Sequence, residues 1–168
     1  MKIIKSIFAN FALIAVLAFG AFAQSSIASL DGSQIDLAAQ RGKVVILSVG
    51  ASWLPLSGKQ AEYTNMLARR YSGKNVAVYF VSTDSMNSKS KNFATNDRIS
   101  KFVAESKLSV PVLRDSDGGV VMKRYQIDQI PSFIIIDKNG NQAGEAFGGI
   151  DPKFDITVPI SKAVDRLL

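Results

Sequence analysis

Lys43-Val44-Val45-Ile46-Leu47-Ser48-Val49-Gly50-Ala51-Ser52-Trp53 is the stretch on which the reading of this chain turns. From Lys43 to Val49 the run is dominated by β-branched and aliphatic residues and is too apolar to alternate, the pattern of a strand covered on both faces. Gly50-Ala51-Ser52 ends the run, and a different period takes over. From Gly58 to Tyr71 the large apolar residues fall at helical spacing, with Tyr63, Leu67 and Tyr71 at i, i+4 and i+8 on one face. A buried strand feeding a turn and then an amphipathic helix is the first half of an α/β unit.

The same two signals recur outward from that stretch. Val76–Ser82 and Ser132–Asp137 repeat the doubly buried strand pattern. Between them lie a polar loop (Asp84–Asn92) and a helix near Asp97–Lys107 with Ile99, Phe102 and Val103 inward. A short strand at Val110–Arg114 and a helix near Gly119–Tyr125 complete the insert. Asn139-Gly140 lies between Phe133–Asp137 and Gln142–Phe147 and predicts a hairpin, because both turn residues tolerate positive φ. Residues 27–37 predict a smaller hairpin turning at Asp31-Gly32. A last helix from Pro152 to Leu168 carries Ile160, Val164 and Leu167 inward. The expected architecture is α/β, a mixed central sheet with helices on both faces, preceded by an N-terminal hairpin and interrupted by an inserted helix-strand unit.

Composition removes whole classes of chemistry. The 168 residues include no cysteine and no histidine. Without cysteine this chain holds no disulfide, no thiolate nucleophile and no zinc-thiolate site. Without histidine it has no Ser-His-Asp arrangement and no imidazole ligand. No cofactor and no metal centre are expected. The formal charge is +6. It is spread along the chain and gives no clustered basic face for nucleic acid.

Residues 1–23 carry the three parts of a secretory signal. Lys2 and Lys5 supply the positive start, an apolar run extends from Ile7 through Phe22, and Ala21-Phe22-Ala23 offers small residues before Gln24. The apolar run is short for a membrane span and is broken by Asn10, which favours cleavage over a retained anchor. The mature domain is then 24–168, in a periplasmic or secreted location, with no membrane attachment after cleavage.

The order of motifs over 27–168 resembles the thioredoxin-like family, in its exported TlpA and ResA branch, which is related to redoxins. The resemblance rests on Arg41-Gly42-Lys43-Val44-Val45, Ala51-Ser52-Trp53 and Val81-Ser82-Thr83-Asp84. It continues through Pro111-Val112-Leu113-Arg114-Asp115 and Tyr125-Gln126-Ile127-Asp128-Gln129-Ile130-Pro131-Ser132-Phe133. The departure is central. Where the family carries Trp-Cys-x-x-Cys, this chain reads Trp53-Leu54-Pro55-Leu56-Ser57. Disulfide exchange needs a thiolate attacking sulfur, and neither Leu54 nor Ser57 supplies one. Position 48, where thioredoxins bury an acid, holds Ser48, as other members of this branch also lack it.

The resemblance further implies a cis Ile130-Pro131 peptide beside the former active-site turn, at a place where family members accept an extended chain. Trp53, Leu54, Pro55, Leu56 and Ser57 facing Ile130 and Pro131 would form an apolar peptide groove. In the alternative, Leu54 and Leu56 merely plug the place of the lost reactive centre. The expected role is a non-catalytic module for an extended peptide or an exported protein. A family-type thiol-disulfide oxidoreductase and a purely structural domain are the competing readings.

Four further motifs have bland explanations. Ser57-Gly58-Lys59-Gln60 lacks the spacing of a phosphate loop and predicts a capping box, with Ser57 accepting from the amide of residue 60 while Gln60 reaches back. Ser57 and Lys59 point about 200° apart on a helix, which disfavours a serine-lysine hydrolase. Asp115-Ser116-Asp117-Gly118 is a turn before a helix, since a calcium loop would want a glutamate where Gln126 stands. Lys89, Lys91, Arg98 and Lys101 form a solvated face around Asp97.

Overall fold

A computed structural model describes residues 26–168; the signal segment read at 1–23 lies outside the described residues. In chain order the elements are β1 (Ser26–Ala28), β2 (Gln34–Asp36), β3 (Val44–Gly50), α1 (Ser57–Arg70), β4 (Val76–Ser82) and α2 (Asn96–Glu105). Then come β5 (Val112–Arg114), α3 (Val121–Arg124), β6 (Ser132–Ile136), β7 (Phe147–Gly148) and α4 (Thr157–Asp165). The main sheet has the order β5-β4-β3-β6-β7. β4 runs parallel to β3, β5 parallel to β4, and β6 and β7 run antiparallel to their neighbours.

Every residue of the central strand β3 is buried, as its composition requires. Val44 and Ile46 face α1 and α4, joining Tyr63, Leu67, Tyr71, Ile160 and Val164 in one core. Val45, Leu47 and Val49 face the other way, against Ile27, Leu37, Val121, Tyr125 and Ile127 from the N-terminal hairpin and the α3 segment. A third cluster forms where α2 covers Phe80 and Val112, with Ile99 fully buried. The β1–β2 hairpin also protects a sheet edge. Ser29 forms an antiparallel bridge with Leu113 of β5, and the Leu30 amide donates to the Val112 carbonyl at 3.0 Å.

Three expected elements come out shorter, each for a visible reason. The strand expected over Gln142–Phe147 is reduced to a bridge at Gln142 and the two-residue β7, because Gly144 takes φ +81 and breaks the extended run. The last helix starts at Thr157 instead of Pro152. The Asp155 carboxylate accepts from the Thr157 amide and hydroxyl, and Asp151 from the Lys153 amide, so residues 151–156 are spent on turns. Before α3, Ser116–Gly118 forms a single 3₁₀ turn, and Asp115 caps the helix by accepting from the amides of Val120 and Val121 at 2.8 and 2.7 Å. Among the described residues no helix is long and apolar enough to cross a membrane.

α1 and α4 are tied at their ends. The Tyr71 hydroxyl lies 2.8 Å from Asp165 and 3.1 Å from the Ser161 carbonyl, and Arg70 reaches Asp165 at 3.0 Å. The hydrogen bond from Tyr71, then that from Arg70, holds the Asp165 carboxyl below its ordinary 3.8. A carboxyl lowered by folding stabilises the fold above its unfolded value, and that contribution fades as pH falls through the folded one. Acid unfolding monitored by circular dichroism should therefore show a stability loss below about pH 4, and Asp165→Asn should make that loss shallower. Asp31 and Asp137 are lowered as well, by hydrogen bonds from Ser33 and Asn141 respectively, so the slope should shrink without vanishing.

Candidate functional site

Strand register gathers three loops at one end of the sheet. Gly50 stands opposite Ser82, and Val49 opposite Ser132. The turn leaving β3, the loop leaving β4 and the Ile130–Pro131 segment entering β6 therefore emerge side by side, at the carboxyl ends of the two parallel strands. The Ile130–Pro131 peptide is cis.

The turn at 52–56 is held from beneath by a buried acid. Asp84 is 0% exposed, and its carboxylate accepts from the Ser52 amide at 2.9 Å, the Ser52 hydroxyl at 2.7 Å and the Ser82 hydroxyl at 2.7 Å. Charge-assisted hydrogen bonds of this kind are about twice as strong as neutral ones, which is why an ion can stay buried here. Thr83 ties the neighbouring strand ends, with its amide and hydroxyl both donating to the Gly50 carbonyl. Arg114 lies behind, donating to the carbonyls of Ala94 and Ser85. Burial pulls the Arg114 guanidinium below its ordinary value, and the charges of Asp84 and Asp117 oppose that shift.

Above this base, Trp53 is 42% exposed, Pro55 is exposed, and Leu54 and Leu56 are half-buried. Ile130 and Pro131 are half-buried too. Leu56 packs on the α1–α4 core, whereas Ile130 packs on the core of the opposite face. The two thus belong to different layers, and the residues of the turn that remain available as a rim are Trp53, Leu54 and Pro55. Among the described residues neither the amide nor the carbonyl of Ile130 enters a backbone hydrogen bond, while the Pro131 carbonyl accepts from Gly149 at 3.0 Å.

Position 57 is occupied by a serine turned inward. Its hydroxyl donates to the Leu54 carbonyl at 2.7 Å and is buried, with no base beside it. Lys59 is engaged elsewhere, 2.8 Å from Glu62, and that hydrogen bond pushes its ammonium above the ordinary value. A general base needs the opposite shift. Among the described residues no group of three or more acidic side chains could hold a metal ion.

The expected capping box is corrected. α1 begins without a side-chain cap, and Gln60 turns into the core instead, its amide donating to the Val49 carbonyl at 2.9 Å. Gly50 makes room for it: a Cβ there would lie 2.1 Å from Gln60 Oε1. Ser48 also serves packing, since the Thr64 hydroxyl bridges it and the Gln60 carbonyl, each at 2.8 Å. The anchoring role of Asp84 is absent from the sequence reading. Its one outward sign is an acid directly after a buried strand that ends in Ser82-Thr83.

The AhpC/TSA family model matches residues 19–142. The thiol-disulfide oxidoreductases ResA of Bacillus thuringiensis and Bacillus cereus are each 30% identical over 122 residues, 73% of this chain. The match spans 65% of the length of those relatives. Among solved structures, a secreted Mycobacterium tuberculosis disulfide oxidoreductase homologous to E. coli DsbE superposes with a TM-score of 0.66 at 22% identity, covering 86% of this chain and 96% of that one. A putative thiol:disulfide interchange protein DsbE from Chlorobium tepidum gives 0.67 at 23%, covering 83% and 92%. These structural likenesses show the thioredoxin-like fold. With the sheet, the cis-proline entry to β6 and the family match together, the chain belongs to the AhpC/TSA redoxin family.

Proposed function

We propose that this chain is an exported, non-catalytic thioredoxin-like module that binds an extended segment of a peptide or exported protein across the Trp53–Pro55 rim and Ile130–Pro131. The observation that carries the reading is a preserved frame around a missing reaction. Asp84 accepts two hydrogen bonds from Ser52 of the turn and a third from Ser82 of β4, yet positions 54 and 57 have no thiolate to present. Those bonds satisfy the buried carboxyl and fix the point where the turn leaves β3. The unpartnered backbone of Ile130 and the exposed Trp53 supply what strand addition requires, a donor and acceptor beside an apolar surface.

The alternative of a purely structural domain draws support from Leu56, which is packed into the core. Thiol-disulfide exchange, the activity in the names of the ResA relatives, is set aside for this chain because the nucleophile is lacking. Export rests on the signal pattern of residues 1–23. It also accords with the secreted description of the Mycobacterium tuberculosis structure.

Trp53 is the sole tryptophan, so fluorescence excited selectively at tryptophan reports on this site alone. Titration with capped, extended peptides should change its emission saturably. Leu54→Asp should weaken that binding at least about tenfold, because it places a charge in an apolar contact. An unaltered titration would favour the filled, structural reading. Asp84→Asn takes the anion from all three donors and replaces one acceptor oxygen by a donor. It should cost about 1–3 kcal/mol in denaturant unfolding and shift Trp53 emission to longer wavelength as the turn loosens. A variant with unchanged stability and emission would remove Asp84 from its anchoring role.

A further inference from the structure

Beside the Ile130–Pro131 ledge lies a cavity of about 560 Å³ whose charge has one sign. Gln129 and Ser132, the residues that flank the ledge, both line it, and its far wall comes from the connection between β6 and β7. That wall is built closely. The Gln129 side chain lies across Gly148, in the space a Cβ there would occupy. Asp128 and Glu145 are the charged residues that line the cavity, and both are exposed. Among the described residues neither forms an ion pair. Arg124 stacks on the Tyr125 ring at 5.4 Å but is not among the lining residues.

We propose that this cavity selects the partner: the segment bound along Ile130–Pro131 carries a lysine or arginine whose side chain enters between Asp128 and Glu145. The inference rests on the groove reading above and names its partner's chemistry. Side chains of an added strand alternate between two sides, so a residue next to the apolar contact with Trp53 and Leu54 has its neighbours directed elsewhere. A long aliphatic stem with a cationic end suits a cavity whose inner walls include Ile127 and Ala146 and whose charged groups are carboxylates. The carboxylates draw in a basic segment and repel an acidic one, which is the usual contribution of charge to partner choice.

The test uses the purified chain and calorimetry with three capped hexapeptides of serine, valine and threonine. They are identical except at two alternate positions, which are both lysine, both glutamine or both glutamate. The lysine peptide should bind about fivefold tighter than the glutamine peptide, the size expected of an exposed pair, and the glutamate peptide weakest. The preference should disappear in Asp128→Asn/Glu145→Gln and in about 0.5 M salt, while affinity for the glutamine peptide stays the same in the variant. Equal affinity for all three peptides would overturn the inference and leave the groove reading standing. No binding by any of them would overturn both.

Discussion

β3 has both faces under cover, and most of the molecule exists to provide that cover. Val44, Val45, Ile46, Leu47 and Val49 are each at most 2% exposed. Side chains of that kind contribute about 1.5–3 kcal/mol each on burial, so together they supply roughly 10 kcal/mol before entropy is counted. That is the size of a whole domain's net stability, 5–15 kcal/mol. A strand with this demand needs helices on one face and a second layer on the other. α1 and α4 meet the first requirement; the N-terminal hairpin and the α3 segment meet the second. The position of the candidate site follows from the same constraint. Where β3 ends, at Gly50, the chain turns out of the sheet, beside the loop leaving β4 and the segment entering β6.

The polar chemistry at that end is organised around Asp84, and its purpose is positional. Carboxylate, serine hydroxyls and threonine hydroxyl converge on the turn from below, and nothing in them offers a nucleophile to the surface. A reactive centre would need its reactive atom at position 54 or 57. Leu54 presents hydrocarbon, and Ser57 points its proton at a backbone carbonyl 2.7 Å away. Among the described residues the Ile130 backbone enters no backbone hydrogen bond, and the recess beside it is lined by Asp128 and Glu145.

Much of this was legible in the residues. The buried strands, the helix face of Tyr63, Leu67 and Tyr71, and both Gly-containing turns follow from hydrophobic period and from positive φ, which are local properties. The missing thiolates could be read from composition alone. Three features were not legible. Gln60 was expected to cap its own helix, whereas it fills the space above Gly50, a choice made by tertiary packing that a helix-start motif cannot reveal. The clamp on Ser52 joins residues 32 positions apart. Only the parallel register of β3 and β4 brings them together. The division of Leu56 and Ile130 between opposite cores likewise depends on which face of the sheet each loop returns to.

The central claim is that this frame survives without the reaction its relatives are named for. The most direct measurement is the rate at which a disulfide-bonded protein is reduced by dithiothreitol, with and without stoichiometric amounts of the chain purified to homogeneity. The rate should be the same in both, because no sulfur in this polypeptide other than methionine thioether is present to carry the exchange. Catalysed reduction that scales with the concentration of the pure chain and persists through repeated turnovers would contradict the account.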